Sequence, residues 1–475
     1  MAAYYDDVLM ICGFEGHELE GDRPRIERAL EKLQLGSEQM DVAEERLRRF
    51  FEIDLRGVRR LLRVWLQETF EVVLAREEGK GVVYFGYPPI QATGMAIKEA
   101  SKGGLYVGCP EMVLCHSLGQ IFDRLTPLLE AAEQGGLPPG HAMCALLQIK
   151  LGALAKGIIP VPDLAVATSY YCDMGPKADE LMEKLYGHRT IYIDSCMDSP
   201  WGEWPSFHPE RVAYLGAQIN KFFEEVRRLF GVEVDENAWA RAKATGRHLY
   251  ESSNRLNQLM MADPMPLSGA DVELALQFAT ACTGSAMTEG PGAIDLLCGE
   301  VEEKIRGGKG VVEKGAPRVL IFNQHYSDPA VTKMMEEAGL AVCATLATIP
   351  PRRPTKPGDY ITIGEKRAEQ AMWSGIYHST YGWAKRFEDV AKALGVDGVI
   401  YNYQYSCRPL ALSSDLVKQF LEQNTGIPTL ALEMDYYDSR NYSAAALRTR
   451  VEAFAEMLRA RKKEDPGLRG DRRRS

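Results

Sequence analysis

The chain has 475 residues, 45% hydrophobic and 26% charged, the balance of an ordinary soluble protein but too long for one average core. Its formal net charge of -10 argues against a general nucleic-acid binder, which would present a basic face. No run is long and apolar enough to cross a bilayer, and the start, MAAYYDDVLM, lacks a basic leader region; no membrane association is expected, and the expected location is the cytoplasm.

Residues 1–80 read as a helical N-terminal arm, with apolar residues at three-and-four spacing (Leu30, Leu33, Leu47, Phe50, Leu61, Leu62, Trp65) that would cover a core or a partner. Residues 81–208 read as a first α/β domain. Short strands are expected at 82–85, 105–107, 162–168 and 190–194, with helices at 117–134, 141–155 and 177–186. Residues 209–315 form a helical layer, and 316–462 a second α/β domain with strands at 319–323, 341–345, 398–405 and 429–432. A basic, disordered tail, 463–475, ends the chain. The fold class is therefore α/β: two parallel-sheet domains of the Rossmann or flavodoxin kind, with an added layer of helices.

The stretch 395–435 organises the second half as strand, turn, helix, strand. Residues 414–424 have helical spacing with Ser413 as candidate cap, and Gly426 and Pro428 stop the helix. Cys407 stands past the strand's carboxyl end, where open α/β sheets bind ligands, in Ser406-Cys407-Arg408-Pro409. Cys172 stands just past a strand of the first unit in the same way. Cys144 falls in the first turn of a helix, where the dipole favours a thiolate.

Ten cysteines without tight spacing do not make a small disulfide scaffold or a structural zinc site. Cys144, Cys172 and Cys407 have the most suggestive settings. Spacing leaves two readings open for them: ligands of an iron–sulfur cluster or small core residues. Cys12, Cys282, Cys298 and Cys343 have core-like contexts, while Cys109, Cys115 and Cys196 lie near turns or strand ends. Three further residues are candidate proton carriers: His325, in Asn323-Gln324-His325-Tyr326 after a strand; Glu433, ending the last strand beside Asp435; and Glu111, after Pro110. Arg352, Arg353 and Lys356 lie in a loop that could meet phosphates or simply be solvated. No GxxxxGK[ST] and no strand-linked GxGxxG occurs, so chemistry that needs ATP would need another chain to hydrolyse it.

Several blocks resemble one family: Val107-Gly108-Cys109-Pro110-Glu111, His141-Ala142-Met143-Cys144, Pro160-Val161-Pro162-Asp163-Leu164 leading to Cys172-Asp173, Ser406-Cys407-Arg408-Pro409, and Leu432-Glu433-Met434-Asp435. In this order they are similar to the 2-hydroxyacyl-CoA dehydratase and benzoyl-CoA reductase family, in its larger, D-component type of subunit. The similarity runs over residues 105–458, and the first hundred residues match poorly. The resemblance implies a [4Fe-4S] cluster on Cys144, Cys172 and Cys407, a related second subunit, and a separate ATP-hydrolysing iron–sulfur activator that delivers one electron. It implies an acyl-CoA or aroyl-CoA substrate whose thioester carbonyl accepts that electron, so that a hydroxyl leaves or an aromatic ring is reduced. Cys109 departs from the family pattern, and with Cys115 and Cys196 leaves room for a double-cubane cluster, as in a branch that reduces small molecules. A non-catalytic or electron-relay partner subunit is the other alternative.

Overall fold

The computed structural model describes residues 3–86, 91–137, 143–169, 172–195, 199–278, 284–323, 326–346, 349, 358–374 and 379–464. The two expected sheets are present. The first comprises β1 (Gly81–Phe85), β2 (Leu105–Gly108), β3 (Leu164–Thr168) and β4 (Arg189–Ile193), in the order β2-β1-β3-β4. The second comprises β5 (Arg318–Ile321), β6 (Ala341–Thr345), β7 (Gly398–Tyr403) and β8 (Thr429–Glu433), in the order β6-β5-β7-β8. Every pairing is parallel. Strand order reverses between β1 and β3 in one sheet and between β5 and β7 in the other, which places a crevice at the carboxyl ends of each pair.

Strand composition follows from burial on both faces. In β1, Val82 and Tyr84 enter one apolar cluster, and the alternate residues Val83 and Phe85 enter another. The second cluster is covered by the helices Pro209–Phe230 and Ile363–Met372, so a helix from the second α/β unit packs over the first sheet. This packing interlocks the two units.

The N-terminal helices do more than cover a core. Helix Arg56–Leu74 is buried along most of its length. Trp65 is 0% exposed, lies 4.2 Å from the His116 ring at 11°, and donates from Nε1 to Leu274 O at 3.0 Å. His116 belongs to a π-helix, Cys115–Gly119, which overlaps only the first residues of the helix expected at 117–134; the α-helix there begins at Thr126.

Two helix starts differ from expectation, one earlier in the chain and one later. The helix after β7 runs Arg408–Thr425 with Cys407 at its N-cap, six residues before the expected start. Pro409 in its first turn is the reason, because a residue without an N–H fits where that group has no helical partner. Ser413 is not a cap; it lies inside the helix and its hydroxyl donates back to Pro409 O at 2.7 Å. The helix expected from 141 runs Ala145–Ala155, and Cys144 is its N-cap rather than part of its first turn.

The Cys144 helix is seated by a close crossing with helix Thr126–Gln134. A Cβ on Gly152 would lie 1.8 Å from Leu128 O, a contact with backbone that no side-chain movement relieves. Gly152→Ala is therefore expected to lower stability by about 1–3 kcal/mol, as overpacking does. Gly292→Ala, where nothing lies within 4 Å, should leave the urea midpoint unchanged or raise it. Urea unfolding of the two variants beside the parent checks this, and equal midpoints would rule out the crossing as a constraint.

Candidate functional site

Three helices begin at the crevice, two capped by a cysteine and the third by the residue after one. Cys144 and Cys407 are N-caps of Ala145–Ala155 and Arg408–Thr425. Cys172 stands one residue ahead of Asp173, the N-cap of Met174–Tyr186, and the Gly175 N–H donates to its sulfur at 3.2 Å. Cys172 follows β3 and Cys407 follows β7, which occupy the same place in the order of their respective sheets. All three thiols are half-buried and free of disulfides.

The residues beside them bridge from one sheet to the other. Arg408 Nη2 lies 2.6 Å from Asp173 Oδ2 and 3.2 Å from Met174 Sδ, so the positions following Cys407 and Cys172 are joined. Gln404 Nε2, one residue past β7, donates to Cys144 Sγ at 3.6 Å.

The electrostatics match this convergence. Burial first, then the neighbouring Cys172 and Asp435, push the Cys144 thiol up to about 12, while the Leu146 N–H and Gln404 pull it down. Burial pushes Cys172 up to about 11 against the N–H groups of Gly175 and Met174. Cys407 is pushed well above its ordinary value by burial and then by Cys172, with Cys144 adding to the rise and the Leu410 N–H opposing it. Cys172 lowers the tendency of Cys144 and Cys407 to ionise, and Cys144 lowers that of Cys407. Such a set holds its protons unless a cation takes their place.

Among the described residues, no three His, Cys, Asp or Glu side chains are grouped as ligands of one metal ion. A cubane makes a different demand: its three thiolates bind three different irons and stand farther apart than ligands of a single ion. Three thiols on separate helix ends, near enough to feel one another's charge, suit that donor set.

The other candidates fall in different places. Glu111 is fully buried, and burial raises its carboxyl. Its Oε1 lies 3.3 Å from Lys150 Nζ, which also donates to Asp179 Oδ1 at 2.7 Å. Glu433 ends β8 on an exposed side. Asp435, two residues on, is buried, accepts from the Tyr437 and Asp438 N–H groups at 3.0 and 3.1 Å, and is the carboxylate that Cys144 feels. His325, Arg352, Arg353, Lys356, Cys196 and Cys282 lie outside the described residues. Cys12, Cys298 and Cys343 are buried, as are Cys109 and Cys115. Cys115 is raised by burial, then by Glu111 and by Cys144.

Sequence reasoning missed Gln404, Lys150 and Asp179. Gln404 carries no pattern that marks it. Lys150 did carry one, a lone charge in the apolar helix ALLQIKLGALA. It is 2% exposed and lies between carboxylates from helices Pro110–Leu114 and Met174–Tyr186, so one ammonium ties together three helices whose N-terminal ends carry Cys109, Cys144 and Cys172. Lys150→Met removes the cation and leaves two buried carboxyls without it. The expected loss is about 3–5 kcal/mol of stability, read from guanidinium unfolding. A loss below about 1 kcal/mol, the scale of an exposed pair, would show that the cluster is not a structural tie.

The model of the 2-hydroxyglutaryl-CoA dehydratase, D-component family matches residues 114–458, a span that includes Cys144, Cys172 and Cys407. The (R)-phenyllactyl-CoA dehydratase alpha subunit of Clostridium sporogenes is 23% identical over 69% of this chain and 78% of its own length. The (R)-2-hydroxyglutaryl-CoA dehydratase alpha subunit of Acidaminococcus fermentans is 22% identical over 64% of this chain and 61% of its own. A benzoyl-CoA reductase subunit of Thauera aromatica is 22% identical over 67% of this chain and 78% of its own. A family match over most of the chain, spanning all three helix-end thiols, places it: the chain belongs to the 2-hydroxyglutaryl-CoA dehydratase, D-component family.

Proposed function

We propose that this chain is the iron–sulfur catalytic subunit of an activator-dependent radical enzyme acting on CoA thioesters, of the 2-hydroxyacyl-CoA dehydratase or benzoyl-CoA reductase type. The observation that carries the reading is the meeting of Cys144, Cys172 and Cys407 at three helix N-termini, each thiol raised by burial and two of them by their neighbours' charge. These three would hold a [4Fe-4S] cluster. When bound there, such a cluster supplies a low-potential electron and Lewis acidity toward a thioester carbonyl.

The chain's own residues do the rest. The N–H groups of Leu146, Gly175 and Leu410 favour thiolate over thiol, and each helix N-terminus adds about 0.3–1 kcal/mol in the same sense. Arg408 and Asp173 close the rim between the sheets. Glu111, whose carboxyl burial raises above its ordinary value, is one proposed proton source, with His325 and Glu433 the others. The relatives are each named as one subunit of a larger enzyme, which supports a related second subunit as partner. The sequence has no phosphate-binding loop, so ATP would be used by a separate iron–sulfur activator. Among the described residues no helix is long and apolar enough to cross a membrane, and the proposed location is the cytoplasm.

The proximity of Cys115 to Cys144 favours one second reading, a double-cubane cluster in a reductase of small molecules. Iron and sulfide analysis after anaerobic purification separates the two, since a double cubane doubles the iron per chain. Cys407→Ser is expected to lose most of the iron while keeping its fold by circular dichroism. Protein that is colourless and iron-free after anaerobic expression removes both readings. With the second subunit and activator supplied, turnover of 2-hydroxyacyl-CoA or of benzoyl-CoA assigns the reaction.

A further inference from the structure

We propose that Gln404 is a positioning residue that sets the reduction potential of the thiol-bound centre, by donating a hydrogen bond from the second sheet to the Cys144 sulfur. The inference rests on the reading that Cys144, Cys172 and Cys407 hold an iron–sulfur cluster.

Gln404 is 5% exposed and touches the site through both ends of the residue. Its backbone carbonyl accepts the Cys407 N–H at 3.1 Å and so fixes the turn that presents one thiol. Its side-chain Nε2 lies 3.6 Å from Cys144 Sγ, a normal length for a bond to a large sulfur, and so reaches a second thiol on the opposite unit. The amide has one sensible orientation. The Tyr436 N–H, a donor only, faces Oε1 at 3.4 Å and leaves the NH₂ group turned to the sulfur.

Tyr436 is itself held firmly. Its hydroxyl donates to Asn402 O at 2.7 Å and its ring meets Tyr326 at 5.5 Å, edge to face. Asn402 is 0% exposed and donates from Nδ2 to both Asn323 O and Tyr326 Oη at 2.7 Å. The polar ends of β5, β7 and β8 are thus knitted into one buried lattice, and its one donor aimed at a cysteine among the described residues is the Gln404 amide. Packing alone would not require an amide here. The Tyr436 N–H needs only the oxygen end of the side chain, and the NH₂ end has the Cys144 sulfur as its acceptor.

A hydrogen bond to sulfur favours the more negative, reduced state of an iron–sulfur centre and so raises its potential. At Cys144 this donor works against the buried carboxyl of Asp435, which acts in the opposite sense. Gln404 therefore keeps the centre reducible by a donor whose own potential is limited.

Anaerobic redox titration followed by electron paramagnetic resonance, with iron counted per chain, tests the assignment on Gln404→Met and Gln404→Glu. Gln404→Met is close in shape and cannot donate. Gln404→Glu keeps an acceptor for the Tyr436 N–H. Both are expected to bind iron as the parent does and to show a more negative midpoint, Gln404→Glu when titrated at alkaline pH, where its carboxyl has ionised and no longer donates to the sulfur. An unchanged midpoint in either iron-loaded variant overturns the proposal. Loss of iron from both variants, under conditions that load the parent, overturns it too, because Gln404 would then hold the shell rather than tune it. If only one loads, that variant's midpoint decides. A parent chain without iron removes the underlying cluster reading instead.

Discussion

Two parallel sheets meet at their carboxyl ends, and the bonds that cross between them decide what the chain can do. Arg408–Asp173 spans the rim and Gln404–Cys144 spans the interior. The rim pair is about half exposed and contributes about 0–1 kcal/mol, so it fixes direction more than it stabilises. The approach of the sheets is held by burial. Helix Ile363–Met372 of the second unit lies over the first sheet, and helix Arg56–Leu74 runs through the core shared with the helical layer. The crevice is a consequence of that packing.

Placing each thiol at a helix N-terminus resolves a conflict built into the site. Burial opposes ionisation of all three cysteines, and neighbouring thiols oppose it further. Backbone N–H groups at the helix ends partly offset this without adding charge. A flanking lysine would have offered a stronger counter-charge, but it would also make a pair that needs no metal. The chain keeps its buried lysine away from the thiols. Lys150 is spent on Asp179 and Glu111, deeper along the helices, where it fixes their relative positions.

A second buried polar group has a different character. His116 and Glu273 lie 3.7 Å apart with almost no exposure, the imidazole lowered to about 4 and the carboxyl raised well above its ordinary value, both by burial first. Burial thus favours the neutral form of each. Gln120 joins the pair to Tyr326 O at 2.7 Å and so to the lattice around Asn402. The π-helix that carries His116 turns that ring onto Trp65. The polar interior is continuous from the N-terminal helices to the rim of the second sheet.

The amino-acid sequence by itself determined the two α/β units, the strand positions within a few residues, and the three cysteines singled out from ten. Those features are local: apolar runs of strand length, glycine and proline stops, and family blocks around Cys144, Cys172 and Cys407. Helix starts were less legible, because Pro409 reads as a breaker in a linear pattern but is a favourable first-turn residue in a folded helix. Only tertiary structure could bring together Gln404 and Cys144, 260 positions apart, or Lys150 with Glu111 and Asp179. Charge pairing and hydrogen bonding depend on distances in space. Once β7 and the Cys144 helix are brought end to end, an unmarked glutamine becomes part of the site.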